Sequence, residues 1–286
     1  MNNILVGTVD MHIHTLPDVH DRSVSDIEAA RQAQESKMRA ILIKCHETIT
    51  GDRAQIAQEV TGFPVFGGIA LNHPTGGLNI HAVRTALDMK SKVVWMPTVH
   101  AVQYLKHVSS VPSFAKRIPK GLTGIPLIDG KGRLLQTLDP ILDLVGEREA
   151  ILATGHIGRD EALPLLEAAK KKGLNRLVVS HPLADFLDFT AEDLKSFVSE
   201  GIYLEHCFVF TTHQVANPMP ISKIANTIKA TGCDRIIIST DGGQAINPPP
   251  VNMFSDFITQ LKNEGFTDND IYTMAVRNPS TLLNLT

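Results

Sequence analysis

The feature that most constrains the fold is a series of short apolar, β-branched runs that recurs along almost the whole chain. The runs lie at 4–13, 39–45, 64–71, 92–97, 149–154, 175–180, 201–208 and 234–240. Each is followed by a loop and then by a stretch with helical periodicity. Several runs are apolar almost throughout, which is typical of parallel strands buried on both faces. The pattern therefore predicts a parallel sheet covered by helices.

Amphipathic helices are predicted between the runs, in stretches that start at Arg22, Asp160 and Ala191. Eight strand–helix units with right-handed crossovers close into a (β/α)8 TIM barrel. A doubly wound open sheet is disfavoured, because no glycine-rich phosphate fingerprint follows the first run. A chain of 286 residues fits one such barrel, so we expect a single domain over 1–286.

The longest interval between runs covers 99–136 and follows the fourth predicted strand. Its second part, I-P-L-I-D-G-K-G-R-L-L, predicts a β-hairpin that turns at Asp129-Gly130. An insertion of this length distorts a regular barrel and is more often a functional loop or lid than an idle connection, with disorder as the alternative.

Charge and cysteine content exclude several classes of partner. The net charge of -3 gives no basic patch for nucleic acid, and no apolar run is long enough to cross a membrane. No secretory leader is recognisable, so we expect a cytoplasmic protein with a small-molecule substrate, and a homo-oligomer remains open. Cys45, Cys207 and Cys233 are expected to be reduced, and a thiolate metal site is disfavoured because no C-x-x-C pair occurs.

The first run ends in V-D-M-H-I-H, with two histidines one residue apart. Alternate residues of a strand share a face. We therefore expect Asp10, His12 and His14 on one face, and the apolar residues between them on the other.

Polar residues with metal-ligand or acid–base chemistry stand at the ends of other runs as well. They are Lys44 and His46 at the end of the second run, His156 after the fifth, His181 after the sixth, Glu205 in the seventh and Asp241 after the eighth. The carboxyl ends of barrel strands meet at one mouth, so these side chains are expected to converge there. Neutral imidazoles and carboxylates are ligands that zinc takes in catalytic sites.

This ordered set, H-x-H on strand one, His on five, His on six and Asp on eight, resembles the ligand pattern of the amidohydrolase superfamily over essentially the whole chain. The resemblance implies that His12 and His14 hold the more buried cation together with Asp241. His156 and His181 would bind a second cation, or divide between ligation and substrate contact if there is only one. Asp241 would also take the proton of the attacking water. The implied cofactor is one or two divalent ions, zinc first and manganese second.

The fourth run departs from that pattern. It reads V-V-W-M-P-T-V-H-A and lacks the lysine or glutamate that bridges two metals in many members. Lys44 is a candidate replacement, either carbamylated as a bridge or, as we favour, an ammonium that holds an anionic substrate. A plain ion pair of Lys44 with Asp10 or Asp241 is the structural alternative.

Four residues are candidates for substrate contact, each with a simpler interpretation. His46 contacts the substrate or only hydrogen-bonds a ligand, and Trp95 lines the pocket or simply packs. Arg159 grips an anionic group or pins a loop. Glu205 is preferred to His206, because neighbouring strand residues alternate, and would orient a metal-bound histidine or protonate a leaving group.

The leading functional hypothesis is a metal-dependent hydrolase that activates water for attack on an amide, lactone or ester of a small, anionic substrate. A phosphoesterase and a metal-dependent decarboxylase are alternatives on the same barrel. A non-catalytic protein that binds a metal or small ligand is the alternative from another class.

Overall fold

The computed structural model describes residues 4–110, 121–215 and 217–285. The strands are β1 (Val9–Ile13), β2 (Ala40–Ile43), β3 (Val65–Phe66), β4 (Gly68–Ala70), β5 (Val93–Trp95), β6 (Ile151–Ala153), β7 (Leu177–Ser180), β8 (Tyr203–Cys207) and β9 (Ile236–Ser239). The α-helices are α1 (Asp26–Glu35), α2 (Gly51–Thr61), α3 (Ile80–Asp88), α4 (Val102–Ser110), α5 (Asp139–Glu147), α6 (Arg159–Lys171), α7 (Ala191–Ser199), α8 (Ile221–Thr231), α9 (Pro250–Asn263), α10 (Asp268–Tyr272) and α11 (Asn278–Leu283).

The strands pair in parallel and in chain order, β1 to β3 in one sheet and β4 to β9 in another. The boundary between the sheets falls within the third predicted run, at Gly67. A Cβ atom at Gly67 would overlap the main chain of Thr50, so only glycine permits this close approach. As a result β3 pairs with β2, and β4 pairs with β5.

Main-chain hydrogen bonds connect β1 to the residues that follow β9. The Asp241 N–H donates to the His12 carbonyl at 2.8 Å, and the His14 N–H donates to the Gly242 carbonyl at 2.7 Å. β1 and β9 are therefore neighbours, and the predicted α/β fold of the (β/α)8 class is confirmed. Among the described helices, none combines the length and the apolar character needed to cross a bilayer.

Helix α1 begins where a capping residue stands, and not where the helical periodicity of the sequence begins. The helical pattern from Arg22 becomes α1 only at Asp26, because Ser25 and Glu28 form a reciprocal capping box. The Glu28 N–H donates to the Ser25 hydroxyl, and the Ser25 N–H donates to the Glu28 carboxylate.

The described part of the insertion contains the expected hairpin. Ile128 and Leu134 form an antiparallel bridge, and the Asp129 N–H donates to the Arg133 carbonyl at 2.8 Å. The Leu127 N–H donates to the Glu161 carboxylate at 2.7 Å, which ties the hairpin to α6. Part of the predicted loop, 111–120, lies outside the described residues.

An apolar cluster inside the barrel joins residues of eight strands to the C-terminal helix. It consists of Val9, Met11, Ala40, Leu42, Ala70, Val93, Trp95, Ile151, Ala153, Val178, Tyr203, Ile237, Leu282 and Leu283. Leu282 and Leu283 come from the C-terminal helix α11, which thereby closes the floor of the barrel. The functional side chains lie above this floor.

Candidate metal centre

Residues from opposite ends of the chain meet at the carboxyl end of the barrel. One oxygen of the Asp241 carboxylate lies 3.0 Å from His14 Nε2 and 3.3 Å from His12 Nε2. Both histidines are buried, and the Asp241 side chain is only 15% exposed. The ligand atoms of the three residues lie within 4.8 Å of one another. The structure thus brings together the first predicted ligand set.

The expectation that Asp10 shares the face of the two histidines is wrong. The register of β1 against β2 shifts between Asp10 and Ile13, which marks a β-bulge and reverses the alternation. Met11 belongs to the barrel interior, and Ile13 packs in the outer layer.

Asp10 instead fastens β1 to the segment after β9. Its carboxylate accepts hydrogen bonds from the Thr240 hydroxyl at 2.6 Å and the Thr240 N–H at 3.1 Å. Burial raises the pKa of Asp10 to about 7, although these bonds oppose the shift. Asp10 is therefore not the ion-pair partner that was considered for Lys44.

The backbone turns sharply where two of the predicted ligands stand. His181 and Asp241 have φ angles of 54° and 48°, in the left-handed region that residues with a Cβ atom seldom adopt. Such conformations concentrate at functional sites. Gly243 follows with a φ of 115°, and a Cβ atom there would overlap the His14 carbonyl.

His181 and His156 extend the cluster away from Asp241. The His181 ring centroid lies 5.1 Å from that of His12 and 5.3 Å from that of His156. His181 Nε2 is 3.8 Å from the second oxygen of Asp241. Burial lowers the pKa of His181 to about 3 and holds that of His156 well below its usual value, so both rings are neutral at pH 7.

Several ring nitrogens in this cluster are buried without a hydrogen-bond partner. They are Nδ1 of His14, Nδ1 of His156 and both nitrogens of His181. Buried polar atoms are normally paired, and such exceptions need an explanation. Neutral imidazoles with available lone pairs beside a carboxylate fit a divalent cation.

Lys44 lies inside the cluster rather than at its rim. It is only 1% exposed, and its Nζ is 3.0 Å from His12 Nε2. Burial lowers the pKa of Lys44, while the carboxylates of Asp241 and Glu205 oppose the shift. Lys44 and a cation would therefore compete for the same lone pair of His12.

Trp95 packs beneath Lys44. Its ring centroid is 5.3 Å from Lys44 Nζ and 6.0 Å from the His12 ring, and the residue is 2% exposed. A Cβ atom at Gly68 would overlap this ring, so the glycine makes room for it. Trp95 thus supports the cluster from the apolar floor, and the packing interpretation describes it better than an open pocket wall.

Glu205 faces the cluster, while His206 does not line it. Glu205 Oε2 lies 3.4 Å from His12 Nδ1, and its other oxygen accepts from the Ser239 hydroxyl at 3.0 Å. With a proton on Nδ1, His12 presents the Nε2 lone pair towards Asp241. Tyr203 shares this face but accepts from Arg235 at 2.8 Å at the other end of the strand.

His46 is held beside His14 by a polar network. Its Nδ1 lies 2.8 Å from the Thr98 hydroxyl, and its ring centroid is 4.9 Å from that of His14. The Asn72 amide donates to the His46 carbonyl and the Thr98 hydroxyl and accepts from the Thr98 N–H. Burial holds the pKa of His46 well below its usual value.

Arg159 does not join the other candidates. It donates from Nε and Nη2 to the two oxygens of Asp193, at 2.6 Å and 2.9 Å. This pairing lowers the pKa of Asp193 to about 2 and fixes the start of α7, where Asp193 completes a capping box. The structure thus places Arg159 in the loop-pinning role.

Two kinds of neighbour were missed from the sequence. Cys207 Sγ lies 3.8 Å from His12 Nδ1, and its position two residues after Glu205 on one strand was the available signal. Tyr104 and Phe186 pack against His156 at 4.9 Å and 5.5 Å, and Phe210 packs against His181 at 5.0 Å. These aromatic residues come from loops and the insertion, where no periodicity marks them.

A second polar cluster lies beside the first. Asp18, Cys45 and Glu47 place ligand-type atoms within 4.8 Å of one another. Arg22 donates to Asp18 at 3.0 Å, and the Cys45 thiol faces both carboxylates. These residues already partner one another.

Comparison with known families assigns the chain to a group without a described activity. Residues 7–205 match the model of a family described as "Family of unknown function (DUF6282)". The chain belongs to this family. The matched span includes His12, His14 and Glu205 and ends before Asp241. Comparison with the curated proteins finds no match.

Solved structures with the same fold cover nearly the whole chain. The putative 2-pyrone-4,6-dicarboxylic acid hydrolase from Pseudomonas putida is 12% identical, with a TM-score of 0.65 and 98% of each chain covered. The phosphotriesterase homology protein from Escherichia coli, solved with phosphate in its active site, is 15% identical, with a TM-score of 0.58, and the alignment covers 98% of this chain and 99% of that one.

A decarboxylase shares the fold as well. The 2,6-dihydroxybenzoate decarboxylase from Rhizobium is 12% identical, with a TM-score of 0.58, 98% of this chain and 99% of that chain being covered. At such identities the likeness establishes the fold. It confirms that this DUF6282 chain has the barrel architecture of amidohydrolase-superfamily proteins.

Proposed function

We propose that this protein is a metal-dependent hydrolase whose centre is built on His12, His14 and Asp241. The observation that carries the proposal is the convergence of these three ligand atoms within 4.8 Å, next to buried imidazole nitrogens without partners. His156 and His181 would contribute to a second cation or to substrate contact. Hydrolases and a decarboxylase share this fold, so the function has to be inferred from the residues of the site and not from the fold.

A divalent cation held there, with zinc as the first choice and manganese as the second, would lower the pKa of a water into the neutral range. Asp241 is suited to take up the proton of that nucleophile. The imidazoles of His12 and His14 hold the pKa of Asp241 well below its usual value although burial opposes this, so its carboxylate is ionised at neutral pH. It would then pass the proton to the leaving group.

Other side chains would position the reacting groups. Glu205 orients His12 through Nδ1, and the Thr98 hydroxyl orients His46 beside His14. We propose that His46 contacts the substrate from this position. The aromatic side chains around His156 and His181 would exclude water from a small substrate.

For Lys44 we propose an ammonium that turns from His12 towards an anionic group of the substrate when a cation occupies the site. The carbamylated form is the alternative, and carbon-13 NMR of protein equilibrated with labelled bicarbonate separates the two. A carbamate signal that disappears in a Lys44→Met variant would identify the modified residue and refute the ammonium.

A substrate panel tests the hydrolase directly. Purified protein, treated with chelator and then reloaded with zinc or manganese, is assayed on aryl esters, lactones, amides and phosphate esters, and on dihydroxybenzoates for carbon dioxide release. We expect ester, lactone or amide hydrolysis that requires metal and is lost in His14→Asn. His81→Asn, on the exposed start of α3, is the matched control and should retain activity.

Each alternative predicts a different result in the same panel. Turnover confined to phosphate esters would support the phosphoesterase, and carbon dioxide release without hydrolysis would support the decarboxylase. Metal-loaded protein that is inactive on the whole panel would contradict the enzyme and favour a binding protein.

A further inference from the structure

Cys207 occupies an unusual place for a thiol that only packs. It is the last residue of β8 and points into the barrel with Glu205, and it is 2% exposed. Its Sγ lies 3.8 Å from His12 Nδ1. A small apolar side chain would fill the same space without facing a ring nitrogen.

His181 supplies a second, independent observation. It is 2% exposed, and both of its ring nitrogens lack a hydrogen-bond partner within the described structure. The ligand atoms of His12, His181 and Cys207 lie within 4.8 Å of one another. An unpartnered imidazole thus faces a thiol and a second imidazole, all three of them buried.

This position differs from the one formed with His14 and Asp241. Cys207 lies on the Nδ1 side of His12, whereas Asp241 lies on the Nε2 side. Glu205 Oε2 is also on the Nδ1 side, 3.4 Å from the nitrogen, and offers a carboxylate oxygen next to the same place. The barrel mouth therefore holds two ligand sets that meet at His12.

We propose that Cys207, with His181 and His12, forms a thiolate-containing cation site that selects zinc over magnesium or manganese. Thiolate and imidazole ligands favour zinc, while magnesium and manganese favour oxygen ligands. Cation binding here would release the Cys207 thiol proton to solvent and pass the His12 Nδ1 proton to Glu205, 3.4 Å away, as the metal–sulfur and metal–nitrogen bonds form. The inference rests on the proposed function in one respect, because both require a cation at the mouth of the barrel.

Cobalt(II) chloride, added to the metal-free full-length protein, tests the sulfur ligand without any activity assay. Wild-type protein should develop a near-ultraviolet sulfur-to-cobalt charge-transfer band as cobalt binds. Cys207→Ser and Cys207→Ala should lose the band, and Cys45→Ser and Cys233→Ser should keep it. If substitution at the buried Cys207 disrupts the protein, a band that is kept in both Cys45→Ser and Cys233→Ser still assigns the sulfur to Cys207, because the chain has three cysteines.

Two results would overturn the inference. Wild-type protein that binds cobalt without the band has no sulfur ligand, which leaves the proposed His12, His14 and Asp241 centre intact. A band lost in Cys45→Ser but kept in Cys207→Ser would place the ion in the cluster of Asp18, Cys45 and Glu47. Failure of cobalt, zinc and manganese to bind at all would count against the proposed function as well.

Metal competition tests the selectivity. Cys207→Ser should weaken zinc binding at least about tenfold. Substitution of a residue that only hydrogen-bonds to a metal ligand already lowers metal affinity by about tenfold or more, and the loss of a direct ligand should cost no less. Manganese binding should change little, because manganese gains little from sulfur. An equal loss for both ions, or no loss for zinc, would contradict a selective thiolate.

Discussion

The same strands contribute to an apolar core at one end of the barrel interior and to a polar cluster at the other end. Along β8, Tyr203 joins the apolar cluster at the floor, whereas Glu205 and Cys207 on the same face reach the polar mouth. The floor is completed by Leu282 and Leu283 of the C-terminal helix. Two or four residues along one strand thus separate a packed core from a cluster of unpartnered polar groups.

The difference teaches where stability and chemistry reside. Apolar burial at the floor stabilises the fold by roughly 25 cal/mol for each Å² removed from water. At the mouth, imidazoles and carboxylates are desolvated, and several ring nitrogens have no partner. Substitutions at the floor should therefore lower stability without loss of function, whereas substitutions at the mouth should abolish function.

The largest effect is expected at Asp241. Asp241→Asn should reduce turnover roughly 10²–10⁴-fold, the usual contribution of a general acid or base, and should reduce bound metal. The free energy of unfolding should fall as well, because the lowered pKa of Asp241 means that its ionised form stabilises the folded state at neutral pH. Steady-state kinetics, metal analysis and urea unfolding measure the three quantities.

Asp10→Asn is the matched comparison, since Asp10 is a buried carboxyl group that accepts hydrogen bonds from Thr240 and from the His12 N–H and belongs to none of the ligand clusters of the described residues. It should lower stability by about 1–3 kcal/mol, because it leaves buried donors unpaired, and should leave metal content unchanged. The reverse outcome, with Asp10 controlling metal content and Asp241 only stability, would refute the assignment.

At the floor, Leu282→Ala should lower the free energy of unfolding by roughly 2–5 kcal/mol through loss of buried volume. Metal stoichiometry of the remaining folded protein should stay the same. Val6→Ala, at a residue 55% exposed, is the control and should have little effect in urea unfolding. Metal loss in folded Leu282→Ala protein would show that the two ends are not separable.

Stability should also depend on pH through buried histidines. Burial lowers the pKa of His206 to about 4, below the value of 6.5 in the unfolded chain. Between these values the unfolded state binds a proton that the folded state does not, so stability falls as pH decreases, by up to about 1.4 kcal/mol per pH unit for such a group. His206→Asn should flatten the dependence over pH 4 to 6.5 in urea unfolding, and an unchanged slope would contradict a buried neutral His206.

The smallest effect is expected at Arg159, whose side chain is 39% exposed. Arg159→Gln should lower stability by about 0–1 kcal/mol, as is usual for an exposed ion pair, with kinetics unchanged. A marked rise in KM for anionic substrates would return Arg159 to the substrate-contact role predicted from the sequence.

The sequence was informative where one physical rule acts alone. Each predicted strand run contains a strand of the structure, because buried parallel strands need continuous apolar stretches. His12, His14, His181 and Asp241 were placed together because parallel strand ends meet at one mouth. The hairpin followed from turn chemistry alone.

Other features required three-dimensional context. Simple alternation placed Asp10 with the histidines, and a bulge that depends on pairing with β2 moved it to the outer face. Arg159 was expected at the mouth, but its partner Asp193 is 34 residues away along the chain. Cys207 was not assigned to the site, because the absence of a C-x-x-C pair disfavours a thiolate ligand, although its position two residues after Glu205 puts both on one face of the strand.

Anomalous diffraction at the zinc edge from crystals grown with zinc tests the central claim most directly. The account predicts a peak at about 2.0–2.2 Å from ring nitrogens of His12 and His14 and from a carboxylate oxygen of Asp241. A zinc peak confined to other residues, such as the cluster of Asp18, Cys45 and Glu47, or its absence from crystals of folded protein, would contradict it.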